Sequence, residues 1–378
     1  MKKTIDDCFF QIQNGANIKQ GDVDGGFPIT RIETTANDKF NRDRMGYAGI
    51  TDISKYESYV LEDGDLLMSH INSVQYLGRT VLYVKQTDET IIHGMNLLRL
   101  KARRDVINPA YARYCFYGCP FRRQVRKITK KSVNQASFAV KDLKQIKIDV
   151  PSLSEQEQIV EVLDKLQKII EIRSNELSTL DNLIKARFVE MFGDENNSKN
   201  WDVVNVEEVA DVQVGVVIKP SQYYTDKSEG VRTFRSLNIG AGFIKDIDWV
   251  YFTKEGHQKN SKSILKKDDL LIVRSGAPGT ACVVTEEYAG CNAVDIIIAH
   301  PDCKKVNPYY LCTFTNMPHG KKQIDEGIGG AAQQHFNVGK YNKLQLMLPP
   351  KTLQDEFVGF VKQVNKSKVV VSNTLYYN

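Results

Sequence analysis

No stretch of this chain approaches the roughly 18 consecutive apolar residues of a membrane-spanning helix, and its start, MKKTIDDCFF, lacks the apolar core of a secretory signal. No membrane span and no signal peptide are therefore expected. Cysteine occurs seven times (Cys8, Cys115, Cys119, Cys282, Cys291, Cys303, Cys312) but never as C-x-x-C. The odd count and scattered spacing point to reduced thiols in a cytoplasmic protein and away from a disulfide framework or a zinc site. The G-x-x-x-x-G-K-[ST] phosphate loop is missing, which excludes an ATP motor of that class. The glycine-containing stretches at 275–279 and 329–332 lack its lysine and read as turns. Pro301-Asp302 with Lys304 has no second acid at the spacing of a nuclease site, and no His/Cys/Asp cluster has metal-ligand spacing. Neither a metal nor any other cofactor is expected of the chain itself.

What is present is ordinary in bulk and uneven in detail. A hydrophobic fraction of 42% and a charged fraction of 26% describe a soluble globular chain, and 378 residues suffice for two or three domains. The net charge of +5 says little, but its distribution says more. Residues 101–147 carry thirteen Lys or Arg against two acids, 13 − 2 = +11, whereas residues 155–192 carry five basic and eight acidic residues, 5 − 8 = −3. The basic tract interleaves cations with aromatics: Tyr111, Arg113, Tyr114, Phe116, Tyr117, Phe121, Arg122, Arg123, Arg126. Such a patch suits a phosphate backbone, since each cation displaces condensed counterions. A solvated basic helix face is the competing reading.

Residues 151–193 read as one long helix. Ser154 and Glu157 have the spacing of a capping box, and Gly193 sits where a left-handed stop belongs. Ile159, Leu163, Leu166, Ile170, Arg173, Leu177, Leu180, Ile184, Arg187 and Met191 step by three or four, which is close to a coiled-coil seam. A helix from 155 to 192 extends roughly 57 Å, long for one compact domain, so a partner helix is expected.

An internal repeat organises the rest. LEDGDLLMSHIN at 61–72 returns as LKKDDLLIVRSG at 265–276, an offset of 204, and Arg31 matches Arg235 at the same offset. Asn108-Pro109 with Tyr111 returns as Asn307-Pro308 with Tyr310; residues 134–151 return more loosely as 334–350; Pro151 and Gln156 return as Pro349 and Gln354. Each copy is β-rich, with short apolar runs (66–68, 81–84, 96–100; 203–206, 212–218, 270–273, 294–298) between turn signals such as Asp24-Gly25-Gly26, Asp63-Gly64 and Pro278-Gly279. The two Asn-Pro pairs read as helix N-caps with Pro at the first position. The expected fold class is α+β: a β-rich domain at 1–150, a helix at 151–193, a second β-rich domain at 194–350 and a second helix at 351–378.

This arrangement resembles the specificity subunit of type I restriction-modification systems. The resemblance covers essentially the whole chain and is carried by P-x-L-x-E-Q-x-x-I-V, by R-F-x-E-M-F-G-D and by the paired GDLL and DDLL blocks. It implies two target-recognition domains, each reading one half of a bipartite DNA sequence, and two helices that pair as an antiparallel coiled coil and set the gap. It also implies partners: double-stranded DNA, two methyltransferase subunits docked on the coiled coil, and restriction subunits. The subunit has no chemistry of its own; S-adenosylmethionine, ATP and Mg would be bound by the partners, which methylate adenine at N6 and cleave unmodified DNA. The chain departs from the family at its end. Its second helix is expected to stop after about Lys368, several turns early, which shortens the coiled coil and leaves the second methyltransferase dock open.

Candidate DNA contacts follow from residue type. Phosphate contacts fall to Arg122, Arg123, Arg126, Lys130 and Lys131; base-edge contacts fall to polar residues beside the repeated blocks, namely His70, Asn72, Asn134 and Gln135 in the first copy and Arg274, Ser275, Gln333, Gln334 and His335 in the second. Asn and Gln bond adenine in two places, and Arg does so to guanine. A turn or capping role competes at every one of these positions, and Arg31 and Arg235 are equally structural or DNA-facing. The coiled-coil seam is assigned to Ile159, Leu163, Leu166, Ile170, Leu177, Leu180 and Ile184. Two other classes compete: a coiled-coil scaffold binding only protein, against which the basic tract counts, and a DNA adenine methyltransferase. For the latter, Asn108-Pro109-Ala110-Tyr111 and Asn307-Pro308-Tyr309-Tyr310 are near misses of the N/D-P-P-Y/F tetrapeptide, without the second Pro or a glycine-rich cofactor loop.

Overall fold

The structure, a computed structural model, describes residues 1–18, 26–132, 135–327 and 336–376. It divides into two compact units, Met1–Ile169 and Ile170–Asn378. The same sheet is built in each. In the first unit the antiparallel order is Phe9–Asn14, Leu97–Ala102, Leu66–Ser69, Thr80–Leu82; in the second it is Ala210–Val214, Ile296–Pro301, Leu270–Val273, Ala281–Val283. Registers correspond: Leu66 faces Leu100 and Met68 faces Leu98, as Leu270 faces Ala299 and Ile272 faces Ile297.

The repeated apolar words are strands buried on both faces. Alternate side chains point to opposite sides of a strand, so Leu66 and Met68 enter one core while Leu67 enters another. Leu270 and Ile272 separate from Leu271 and Val273 in the same way. The 212–218 run is shorter than its composition suggests. The strand ends at Val214; the chain then passes Gly215, which lies too close to the Ala293 carbonyl for a side chain, to a parallel bridge between Val216 and Val294.

A short helix follows the sheet in each unit, Pro109–Tyr117 and Pro308–Asn316. Asn108 Oδ1 accepts from the Ala110 N–H at 2.8 Å and Asn307 Oδ1 from the Tyr309 N–H at 3.0 Å, leaving Pro at the position that needs no donor. Tyr111 and Tyr310 donate their hydroxyls to the carbonyls of Asp149 and Met347 at 2.9 and 2.8 Å. A basic helix, Cys119–Ile128, comes next in the first unit and Pro318–Gly327 in the second.

The central helix, Leu153–Phe192, starts two residues before the expected point. Its capping box is Ser152 with Glu155: the Ser152 hydroxyl donates to Glu155 at 2.6 Å and the Ser152 N–H at 2.9 Å. Both Ser152 and Ser154 have the right spacing, and Gln156 decides between them. From the first turn its fully buried amide accepts from the Asn108 N–H at 2.8 Å and donates to the carbonyls of Val106 and Pro151 at 3.1 and 3.0 Å. Gln354 repeats this on Asn307 and Pro349, each at 2.8 Å. The stop is as expected: Gly193 has φ +90° and donates to the Val189 carbonyl.

The terminal helix, Lys351–Tyr376, does not stop near Lys368. β-branched residues cost only tenths of a kcal/mol each in a helix, and neither Pro nor Gly follows Gly359, so the helix propagates through 369–371. In the second unit it runs antiparallel to the central helix, since Glu356 pairs with Arg187 at 3.2 Å while the later Lys368 pairs with the earlier Asp181. Phe188 and Phe192 pack edge-on against Phe357, each with ring centroids 5.4 Å apart.

Candidate nucleic-acid interface

In the first unit the structure gathers most of the first-copy candidates on one surface. A three-stranded sheet pairs Ile71–Asn72 with Ala136–Ser137, and the latter with Lys130–Lys131, so that Ala136 lies between Asn72 and Lys131. Gln135 adjoins it, its carbonyl accepting the N–H and hydroxyl of Ser132 at 2.8 Å. Beside this sheet, residues 73–77 and the basic helix enclose an open groove of about 540 Å³. Arg122, Arg126, Ser73, Gln75, Val125 and Thr129 line it, and among the described residues none that lines it is acidic.

The cations differ in how they are held. Arg122 Nε donates to the Phe116 carbonyl at 3.2 Å and its guanidinium lies 5.6 Å from the Tyr117 ring, so it is oriented by the protein. Arg123, Arg126, Lys130 and Lys131 are exposed and, among the described residues, not ion-paired. Unpaired exposed cations are the ones available to phosphate.

Other candidates make contacts within the fold. His70 is buried, stacks edge-on with Phe138 at 6.3 Å and accepts the Phe138 N–H on its carbonyl at 3.3 Å. Burial pushes its imidazole pKa down to about 4. Its counterpart Arg274 accepts the Phe336 N–H in the same way and binds Asp295 at 2.6 Å. Asn72 donates to the Ser69 hydroxyl at 3.3 Å and accepts the Ser73 N–H at 2.7 Å. Arg31 and Arg235 open equivalent 3-10 turns, their N–H groups donating to Thr34 and Asn238 at 2.8 and 2.9 Å, and the Arg235 guanidinium donates to the Asp248 carbonyl. Ser275 is half-buried. Asn134, Gln333, Gln334 and His335 lie outside the described residues. Asn108 and Asn307, the methyltransferase near misses, are committed to capping.

Residue type alone did not point to the loop at 73–77, which forms one wall of the groove. Its polar residues Ser73 and Gln75 lie about fifty residues from the basic helix, and only the three-dimensional pairing of the strands brings them together.

The expected seam splits into two. Ile159, Leu166 and Ile170 are exposed, together with Val162, Ile169 and Ile172, whereas Leu163, Leu177, Leu180 and Ile184 are half-buried. Ile184 and Met191 pack on the second unit's core. Among the described residues no group of side chains has the make-up of a metal site, and no helix is long and apolar enough to cross a membrane.

Comparison with known proteins agrees with the repeat. The family described as type I restriction modification DNA specificity domain matches twice, over residues 1–182 and 198–375. The type I restriction enzyme MjaX specificity subunit assigned in Methanocaldococcus jannaschii is 31% identical over 381 residues, 96% of this chain and 86% of that one. The EcoKI specificity subunit of Escherichia coli is 23% identical over 209 residues, 54% of this chain and 44% of that one. In fold, the chain is similar to the S subunit of a type I restriction-modification system from M. genitalium (TM-score 0.58, 14% identity, 100% of this chain and 92% of that one). A second solved structure, from work on complex assembly and conformational transition of the type I R-M system, matches with TM-score 0.54 at 14% identity and the same coverage. This chain belongs to the specificity subunits of type I restriction-modification systems, the non-catalytic members of those complexes.

Proposed function

We propose that this protein reads a bipartite sequence in double-stranded DNA and directs partner subunits to it. On this reading residues 1–150 and 194–350 are the two recognition domains, and 151–193 and 351–378 are the helices that connect and brace them. Two methyltransferase subunits dock on the helices and methylate adenine at N6, and restriction subunits join to cleave unmodified DNA. The partners bring S-adenosylmethionine, ATP and Mg, and the complex works in the cytoplasm.

The observation that carries the reading is the arginine-lined groove beside the Asn72–Ala136–Lys131 sheet, without an acid among the described residues and within a domain built twice. Arg122, Arg123, Arg126, Lys130 and Lys131 hold the phosphate backbone, and Asn72 and Gln135 approach base edges. His70, Arg274, Arg31 and Arg235 act by shaping the loops around the readers. In the second domain the readers are Ser275 with Gln333, Gln334 and His335. The exposed apolar face of Ile159, Val162, Leu166 and Ile170 suits a docked partner, as a protein-only scaffold would also offer, but a scaffold leaves the groove without a purpose.

Mapping of N6-methyladenine in cells with and without this chain, in the presence of its methyltransferase, tests the reading. A split motif with a fixed central gap that disappears on deletion is the expected result. Methylation unchanged by the deletion would overturn it.

A further inference from the structure

The two units share a fold but not a surface at the groove. Gln124 fixes the register between them: its amide donates to the Lys147 carbonyl at 2.9 Å and accepts the Lys147 N–H at 3.3 Å. Gln323 does the same with Gln345 at 2.9 and 2.8 Å. Counting from these glutamines, Arg122 corresponds to Lys321, Val125 to Ile324, Arg126 to Asp325 and Lys127 to Glu326. Two cations of the first unit are thus two acids in the second. Over the whole tract, 101–147 has net charge +11, whereas 300–345 has six Lys and three acids, 6 − 3 = +3.

The shape differs as well. In the second unit Lys321 donates to the Pro278 carbonyl at 3.1 Å, and Gly279 lies against the Ile324 side chain so closely that a Cβ there would clash. Lys321 is half-buried and its ammonium pKa is lowered by that burial. The loop at 275–279 therefore lies directly on the helix. In the first unit the matching glycine, Gly78, also meets its helix, a Cβ there lying 3.3 Å from Val125, but the loop before it is longer, and residues 73–77 leave the groove between Gln75 and Arg126. The hydroxyl, amide and guanidinium groups there are the types that contact phosphate oxygens.

We propose that this groove is a binding site for the phosphodiester backbone of duplex DNA, held by Arg122 and Arg126, and that the matching helix positions of the second unit, Lys321 bonded to the Pro278 carbonyl and Asp325, do not hold it. The inference rests on the DNA-reading function and adds a division of labour to it. The first unit supplies most of the sequence-independent, salt-sensitive grip. The second unit, with Asp325 and Glu326 at the matching place, contributes recognition with little of it.

The test measures binding of the full-length chain to a mixed-sequence DNA duplex over a range of salt concentrations. Each phosphate contact adds about 0.9 to the slope of log K against log salt. Arg126→Ala is expected to lower the slope by about 1, Arg126→Lys to keep it, and Lys322→Ala in the second unit to leave it unchanged. Arg126 is exposed and, among the described residues, not ion-paired, and an unchanged melting temperature verifies that its variants fold. If the wild-type chain binds DNA but Arg126→Ala keeps the full slope, or Lys322→Ala loses as much, the groove assignment fails alone. If the wild-type chain shows no salt-dependent binding, the DNA-reading function and the groove assignment fail together.

Discussion

The first and second units repeat one framework, and they differ where the framework meets solvent or changes its core. The shared parts are backbone-directed: the Asn caps, the tyrosine hydroxyls on strand carbonyls and the Gln156 and Gln354 amides. A buried amide that satisfies backbone groups is costly to replace, because its partners are then left unpaired. The differences are in side chains: His70 against Arg274, His93 against Ala293, Arg126 against Asp325. Evolution of a two-part reader needs such a division, since the framework must persist while the surfaces diverge.

The largest expected effect separates the units by acid. His70 and His93 are buried in the first unit, and burial lowers their pKa values to about 4 and about 3 from 6.5; a nearby Arg99 adds to the shift at His93. The folded state holds both imidazoles neutral, so the unfolded chain binds protons first. Their contribution is fully present above pH 6.5 and is lost as pH falls toward the folded values, at about 1.4 kcal/mol per unit for each group. By pH 4.5 the first unit loses roughly 5 kcal/mol, a large share of a domain's stability. The corresponding positions of the second unit hold Arg274, paired with Asp295, and Ala293, which carries no titratable group. Hydrogen exchange resolved by segment should show the first unit opening between pH 6.5 and 4.5 while Trp201 and Trp249, both in the second unit, keep their native emission. Simultaneous loss of both signals would contradict this asymmetry.

How far the sequence alone leads is clearest at these same residues. The repeat, the Asn caps and the buried glutamines were legible because each acts on backbone close in sequence or recurs at a constant offset. The helix start was misplaced by two residues, since Ser152 and Ser154 satisfy the same local rule and a contact to Asn108 chooses between them. That His70 is buried and Arg274 is paired with Asp295 is not legible in their polar type, because type does not reveal burial. The groove had only the charge of its helix as a signal, for its second wall comes from residues 73–77.

An intermediate effect tests the aromatic core of the second unit. Phe188 is fully buried among Phe192, Tyr310, Phe314, His319 and Phe357. Phe188→Ala should destabilise the second unit by about 3–5 kcal/mol through the cavity it leaves. Chemical unfolding followed by tryptophan emission reads this directly, and exchange in residues 1–150 should not change. Equal loss of protection there would mean that the units do not unfold independently.

The smallest effect concerns how the terminal helix is held. Lys368 pairs with Asp181, but Asp181 is 61% exposed, and ion pairs open to water contribute at most about 1 kcal/mol after screening and side-chain ordering. Val364, one turn earlier, is only 6% exposed. Removing its methyl groups takes away buried contacts that water does not replace, at roughly 1–3 kcal/mol. Lys368→Ala should therefore weaken the second unit less than Val364→Ala, with the difference narrowing at low salt, where the ion pair is least screened. The reverse order would mean that charge rather than apolar packing brings the two helices together. In that case the exposed apolar side chains Ile159, Val162, Leu166, Ile169, Ile170 and Ile172 would not be the face on which a partner gains most.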